Sequence, residues 1–414
     1  MGHRNLNPTN SYSHCPANAA SRRQHLLRDN PLYSHLSLRR LSVDEASSPA
    51  PVPQSYRALV IENEYLQLTF LPELGGRLYR CVYKPTGQNI FYQNQVIKPS
   101  HWGPFMPAEH NWWLAAGGME WAVPVHEHGY EFGVPWNYAV EATSQDTTVV
   151  LWDSRDSDRL QFEVQITLPP QQAVFIVRPR LTNPLTNDTE VQLWLNAMLT
   201  LGSQTIAPET EFVLPEGPVV VHSTGDSLLA AEGKVMSWPI YGGRDLSRYA
   251  NWNQWLGVFV QQPEQNFVGA YNHTTGLGVA RIFSPQAAPG VKLFAFGPDF
   301  NDRGHYSDDD SQYFELWGGA NRTLTYANKA AALYLKGKGG QIDLGLSVSS
   351  PLQGQIRLIA AEERIILEQT VALTPGDPWR QQIAWPDDLP SDATLTFQLL
   401  DSKNKHLLDY RKLK

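Results

Sequence analysis

Cysteine is nearly absent from this chain: Cys15 and Cys81 are the two in 414 residues. Cys15 falls in a polar tail and Cys81 in a strand-like run, which excludes a disulfide framework. No segment approaches the ~18 uninterrupted apolar residues of a membrane-spanning helix. Runs of lysine or arginine are missing as well, and the net charge is −8. That balance argues against nucleic acid or an anionic membrane as the main partner. Residues 1–50 lack the apolar core of a secretory signal, so the default location is the cytoplasm. The six arginines, eight serines and three acids of that tail overlap the composition of organelle transit peptides. It has no amphipathic helical pattern, however, and disorder is the expected state of 1–50.

A sustained 3.6-residue stripe is the last thing missing, and what replaces it is strand-like alternation. Leu66, Leu68 and Phe70 alternate with polar neighbours, as do Phe162, Val164, Ile166 and Leu168, and then Val191, Leu193 and Leu195. Turn clusters such as KPTGQN at 84–89 and NPLTND at 183–188 punctuate these runs. The expected organisation is a poorly ordered 1–50 with an edge strand near 36–43, then packed antiparallel sheets over 51–335. KGKGG at 336–340 reads as a linker to a small C-terminal β-sandwich over 341–414, where Ile342, Leu344, Leu346 and Val348 alternate.

Aromatic residues are concentrated between 102 and 136, in WGPFMPAEHNWWLAAGGMEWAVPVHEHGYEFGVPW. This stretch holds five of the 13 tryptophans, with His110, His126, His128 and four glutamates among them. A core gains from tryptophan but has no need of titratable groups between its rings. Aromatic walls with a few convergent polar groups are what a ligand site requires. Trp113 and Trp121 are candidate platforms for the flat apolar face of a sugar.

Glu120 follows two glycines and, if buried, needs a partner; Arg77, after its own Gly-Gly pair, is a candidate. Arg77 serves equally as a clamp for a ligand hydroxyl or carboxylate. His126 and His128 form an H-x-H pair whose rings point the same way on a strand. No second spaced pair supports a metal site, so a proton donor or hydrogen-bond partner is the preferred reading and no metal or cofactor is expected. Asn196 lies in the apolar run LWLNAML, facing either a ligand hydroxyl or a buried backbone group. Alternation puts Tyr313, Glu315 and Trp317 on one face of a strand and Phe314 and Leu316 on the other. The segment 241–255, with Arg244, Asp245 and Arg248, reads as an inserted loop at a site rim, and Asp308, Asp309 and Asp310 as a solvated turn.

Several motifs carry a resemblance. ENEYL at 62–66, LPELGGR at 71–77, VIKP at 96–99, GGMEW at 117–121, LTNP at 181–184 and YFELWGG at 313–319 are similar to the galactose-mutarotase-like superfamily and, more narrowly, to the DUF5107 group of bacterial proteins. The resemblance spans 55–335 and implies a β-supersandwich of two large antiparallel sheets with a carbohydrate site on a concave face. It also implies Glu315 as general base and His126 or His128 as general acid, although neither histidine sits in the epimerases' own histidine motif. Three functions stay open: an aldose-epimerase type of acid–base enzyme, a glycosidase or lyase using Glu315 and Glu120, and a non-catalytic carbohydrate-binding protein. Arg77, Trp113, Trp121, Asn196, Tyr313 and Trp317 would hold the ligand.

Overall fold

The computed structural model describes residues 12–14, 52–100, 113–122, 135–298, 314–316 and 326–412, apart from short interruptions inside the longer stretches. Among these residues the sole helical piece is the 3-10 turn Tyr249–Asn251; the rest is strands and turns. The alternation explains this. Phe162, Val164, Ile166 and Leu168 are buried while Gln161, Glu163 and Gln165 between them are half-buried, the period-two pattern of a pleated strand. The all-β class expected from the sequence, large antiparallel sheets with a C-terminal β-sandwich, is the class the structure has.

The chain divides into two compact units, the first holding 1–170, 175–206 and 299–315, and the second 171–174, 207–298 and 316–414. In the first unit one sheet runs, in spatial order, Leu59–Glu62, Leu66–Leu71, Arg77–Tyr83, Trp113–Ala122, Trp194–Leu199 and Phe314–Leu316, with antiparallel neighbours throughout. A second antiparallel sheet runs Ile176–Thr182, Gln161–Leu168, Thr147–Trp152 and Asn137–Ala142. Trp136 ties the two together. Its ring meets Phe162 edge-on at 5.9 Å, and its backbone N–H donates to the Pro72 carbonyl at 2.8 Å. Gly76 lies beneath it, where a Cβ would come within 2.8 Å of the indole.

Within the tail expected to be poorly ordered, Tyr12–His14 is a strand that pairs antiparallel with Val52–Gln54 and parallel with Gln93–Ser100. The edge strand expected at 36–43 lies outside the described residues.

The second unit contains the antiparallel sheet Val235–Trp238, Gly217–Thr224, Leu256–Gln261 and Gly290–Ala295. A three-stranded sheet, Thr210–Val213, Phe267–Asn272 and Leu277–Ile282, belongs to the same unit. Two four-stranded sheets form the C-terminal sandwich, one containing Ala331–Lys338, Gln341–Val348 and Trp379–Ala384, the other Leu352–Ile359, Ile365–Leu373, Leu395–Asp401 and His406–Lys412. Their core includes Leu333, Ile342, Ile356, Leu358 and Phe397.

Here the structure corrects the reading of KGKGG as a linker. Ala331–Lys338 pairs residue for residue with Gln341–Val348, down to Lys338 opposite Gln341, so the segment is a hairpin end inside one sheet. Gly340, at φ +79°, supplies the left-handed residue that the tight connection needs. The segment 241–255 is also more ordered than a loop. Ile240–Tyr241 pairs with Arg244–Asp245, and Tyr249 and Trp252 pack on Phe212, the Trp252 ring at 5.2 Å.

Candidate functional site

The strand Trp113–Ala122 runs through the middle of the first unit's larger sheet, and every residue from Ala116 to Ala122 is buried. Two glycines allow that. Gly117 and Gly118 have φ of +82° and +76°, and a Cβ would stand 2.2 Å from the Tyr92 carbonyl oxygen in one case and 2.6 Å from that of Leu78 in the other. Neighbouring backbones close in to distances that no side chain permits.

Directly after this pair comes Glu120, 2 % exposed. Arg77, 1 % exposed, donates from Nη2 to Glu120 Oε2 at 3.0 Å and from Nη1 to the Gly117 carbonyl at 2.8 Å. The pairing anticipated from the two Gly-Gly motifs is therefore present. Asn196 lies directly across from Glu120 in the register and donates from Nδ2 to Glu120 Oε1 at 2.8 Å. Glu120 was not among the partners that the sequence suggested for Asn196. The relay Arg77–Glu120–Asn196 thus crosses three adjacent strands in the dry interior of a sheet. Arg77 Nε has no hydrogen-bond partner among the described residues.

The local chemistry follows from this arrangement. Both oxygens of Glu120 accept hydrogen bonds, one of them charge-assisted. The carboxylate thereby fixes the direction of a guanidinium and of a carboxamide, two groups that recognise hydroxyl and carboxylate oxygens. Trp121 is 3 % exposed and donates its indole N–H to the Gly76 carbonyl at 3.1 Å, which anchors the Arg77 turn from the opposite face of the strand.

The remaining sequence candidates are distributed as follows. Glu315 sits in the strand Phe314–Leu316, with its Cα opposite Met198, two positions along the strand from Asn196. Its side chain lies outside the described residues, and so does that of Trp113 at the start of its strand. His126, His128, Tyr313, Trp317 and the acidic run 308–310 also lie outside them. Among the described residues no group of three or more His, Cys, Asp or Glu is arranged to hold a metal ion, and no helix is long and apolar enough to cross a membrane.

Two polar clusters in the second unit were not singled out by sequence reasoning. Glu211 Oε2 accepts from Arg248 Nη1 at 2.8 Å and lies 2.7 Å from His273 Nε2. Asp226 Oδ2 accepts from Arg244 at 2.7 Å and from Asn253 at 3.1 Å. Burial raises the Asp226 pKa, but the hydrogen bond from Arg244 and further donors outweigh it and hold the carboxyl below 3.8. Arg244 and Arg248 were visible in the 241–255 motif; their acidic partners are remote in sequence, so no local spacing announced them.

Sheets of this kind around a buried polar relay define an all-β protein of a recurring architecture, and comparison with known proteins gives it a family. The chain belongs to the family described as "Domain of unknown function (DUF5107)", whose model matches residues 31–336. Residues 326–410 are similar to a second family, the YphG-like protein, second domain. A crystallised TPR-domain containing protein from Parabacteroides distasonis ATCC 8503 is similar in fold, at 20 % identity and a TM-score of 0.52. The similarity covers 80 % of this chain but 47 % of that one, so the chain spans about half the length of that relative. The Slr1438 protein from Synechocystis sp. PCC 6803 matches at 14 % identity with a TM-score of 0.44, over 64 % of this chain and 86 % of its own. An Escherichia coli K12 protein provisionally described as an aldose 1-epimerase matches at 11 % identity and a TM-score of 0.40, over 79 % of this chain and 97 % of its own.

Proposed function

We propose that the protein binds a carbohydrate on the sheet that carries the Arg77–Glu120–Asn196 relay, and that it acts on this sugar by acid–base chemistry of the aldose-epimerase type. The relay is the observation that carries the reading. Three interlocked polar side chains cost desolvation in the middle of a sheet, which a purely structural core avoids with apolar residues. Such a relay repays that cost when it fixes the relative position of strands that carry a ligand's binding groups.

In the proposed reaction Glu315 takes the proton of the anomeric hydroxyl while His126 or His128 protonates the ring oxygen. The bond between the anomeric carbon and the ring oxygen breaks, leaving the open-chain aldehyde. Rotation and closure onto the other carbonyl face, with both proton transfers reversed, give the other anomer. No oxidant, reductant or cofactor enters this balance. Arg77 and Asn196, each 1 % exposed, hold the sheet behind the ligand without reaching it, and Trp113, Tyr313 and Trp317 supply stacking faces. Glu120 is assigned to orientation because both its oxygens already accept hydrogen bonds, and this moves the reading away from a two-carboxylate hydrolase that pairs it with Glu315. Trp121, buried and bonded to Gly76, supports the Arg77 turn in this scheme. We also place the start of the C-terminal sandwich near residue 326, because Tyr326–Ala327 pairs with Ala331–Lys338 in one of its sheets.

The test is a thermal-shift screen of neutral mono- and oligosaccharides on wild type and Glu315→Gln, followed by polarimetric mutarotation with each sugar that stabilises the fold. A ligand that binds only the native state raises the melting temperature by mass action. The expected result is a sugar that stabilises both proteins and is mutarotated only by the wild type. Undiminished mutarotation in Glu315→Gln would overturn the assigned chemistry, and no shift with any sugar would overturn carbohydrate binding.

A further inference from the structure

The second sheet of the first unit, from Asn137–Ala142 to Ile176–Thr182, has two unlike faces. Val149, Leu151, Val164 and Ile166 make one of them aliphatic and buried. On the other, the register lines up Arg180, Glu163, Trp152 and Asn137 in a row across all four strands. Arg178 and Gln165 stand side by side in the next row. Arg178, Arg180 and Asn137 are exposed, and Trp152 and Gln165 are half-buried.

Arg155 reaches over this face from the turn that follows Trp152. Its guanidinium stands 4.7 Å from the centroid of the Trp152 ring, within cation–π range, and donates from Nη2 to Glu163 Oε2. The side chain is nevertheless 48 % exposed. Its backbone sits at φ +53°, a left-handed conformation that is unfavourable to any residue with a side chain. The fully buried Asp153 holds it there, accepting from the Arg155 N–H at 3.0 Å and from the Phe162 N–H at 2.9 Å. Gln161 adds a bond to the Arg155 carbonyl at 2.9 Å.

Backbone strain held in place by a buried carboxylate fixes one guanidinium on an open surface. An arginine already stacked and paired loses little freedom when a ligand arrives. Each guanidinium has five N–H donors. The bonds described use one on Arg155, one on Arg178, to Thr167 Oγ1 at 3.3 Å, and none on Arg180. The three arginines share this face with two carboxylates, Glu163 and Glu141, in a chain whose net charge is −8. A flat face suits an extended chain, whereas a small molecule needs a concave site. Guanidinium groups bind carboxylates in bidentate fashion, and the carboxamides of Gln165 and Asn137 suit hydroxyls.

We propose that this face binds a carboxylated polysaccharide, a polymer of uronic acids that lies across the four strands. Its carboxylates are directed to Arg155, Arg178 and Arg180, and its hydroxyls to Gln165 and Asn137. An acidic peptide would match the arginines but bring no row of hydroxyls to the carboxamides. The surface is separate from the sheet that carries Glu120 and Glu315, and the proposal does not rest on the chemistry assigned there.

Calorimetric titration of the full-length protein with polygalacturonate, a neutral galactan, dextran sulfate and poly-L-glutamate at matched ionic strength tests it. Polygalacturonate is expected to bind about tenfold or more tightly than the galactan, with a preference that falls as salt rises. Arg180→Gln, which removes no bond of the fold, is expected to weaken polygalacturonate by several fold. Arg155→Gln/Arg180→Gln should weaken it by about tenfold or more; should that variant fail to fold, Arg180→Gln decides alone. Arg357→Gln makes the same change of charge on the C-terminal sandwich and is expected to leave the affinity as it is. Absence of polygalacturonate binding, undiminished binding by Arg180→Gln, or an equal loss in Arg357→Gln would each overturn the proposal. Dextran sulfate or poly-L-glutamate binding as tightly as polygalacturonate would overturn the assignment to a carboxylated sugar. Loss of the epimerase reading changes none of these titrations, so the two failures are distinguishable.

Discussion

Arg77 and Glu120 are 43 residues apart in the chain and 3.0 Å apart at their charged groups, each almost wholly removed from water. Nothing in the local sequence of either residue brings them together; the adjacency of their strands does, along with the glycines that let the strands close. The pair then sets the position of Asn196 through the second oxygen of Glu120. A polar relay built in this way is unforgiving, because every member depends on the others for its hydrogen bonds.

The first prediction follows from that dependence. Glu120→Gln removes a charge and leaves a buried guanidinium without its counter-ion. Breaking a buried pair from one side costs about 3–5 kcal/mol, and the Gln amide oxygen recovers part of that by accepting from Arg77. A loss near the lower end, about 3 kcal/mol, is expected in urea denaturation. The double variant Arg77→Met/Glu120→Gln should lose much less than the sum of the two singles. Additive losses would show that the ion pair contributes no coupling.

Backbone geometry gives the second. Gly118→Ala puts a Cβ 2.6 Å from the Leu78 carbonyl oxygen at φ +76°, whereas Gly87→Ala, at φ +71°, meets nothing within 4 Å. Both changes carry the left-handed penalty of about 1–2 kcal/mol; only the first adds a clash with main chain that cannot move aside. Gly118→Ala is expected to lower the melting temperature well beyond Gly87→Ala, and equal effects would show that the sheet yields at this point.

How much of this was legible in the sequence depends on the range over which the information is stored. Alternation along one strand is local, so the burial of Phe162 to Leu168 and of Ile342 to Val348 follows from the sequence directly. Partner identity across strands is set by register, which a one-residue slip would reverse. Glu120 could be seen to need a partner, and Arg77 stood out by its Gly-Gly motif. The link from Asn196 could not be seen, since it depends on Asn196 and Glu120 facing each other across 76 residues of chain. KGKGG misled because glycine and lysine suit a hairpin turn as well as a linker, and only the pairing of the flanking strands decides between them.

The third prediction uses Cys81, buried in the Arg77–Tyr83 strand and with its thiol pushed up to about 12 by burial. The thiolate is the reactive species. In a Cys15→Ser background, Cys81 is expected to resist a thiol reagent at pH 8 until the protein unfolds, with the labelling rate following the unfolding transition in urea. Rapid labelling of the native protein would place Cys81 in a region that opens locally.

The fourth prediction concerns acid stability and Asp226. Its folded-state pKa is depressed: burial acts to raise it, and the hydrogen bonds from Arg244 and the Leu228 backbone, the Arg244 charge and the Asn253 amide together outweigh that. A depressed carboxyl stabilises the fold at pH values above its unfolded pKa, near 3.8, and the contribution is lost as the pH falls through the lower folded value. Wild type should therefore be more stable than Asp226→Asn at neutral pH, and the difference should shrink on acidification below about 4. Arg244 leads into the hairpin whose following turn packs Tyr249 and Trp252 on Phe212. Tryptophan fluorescence should accordingly change with the same acid transition in the wild type and already differ in Asp226→Asn at neutral pH. A stability gap that stays constant from pH 7 to pH 2 would mean that the variant acts through packing rather than through the charge of Asp226.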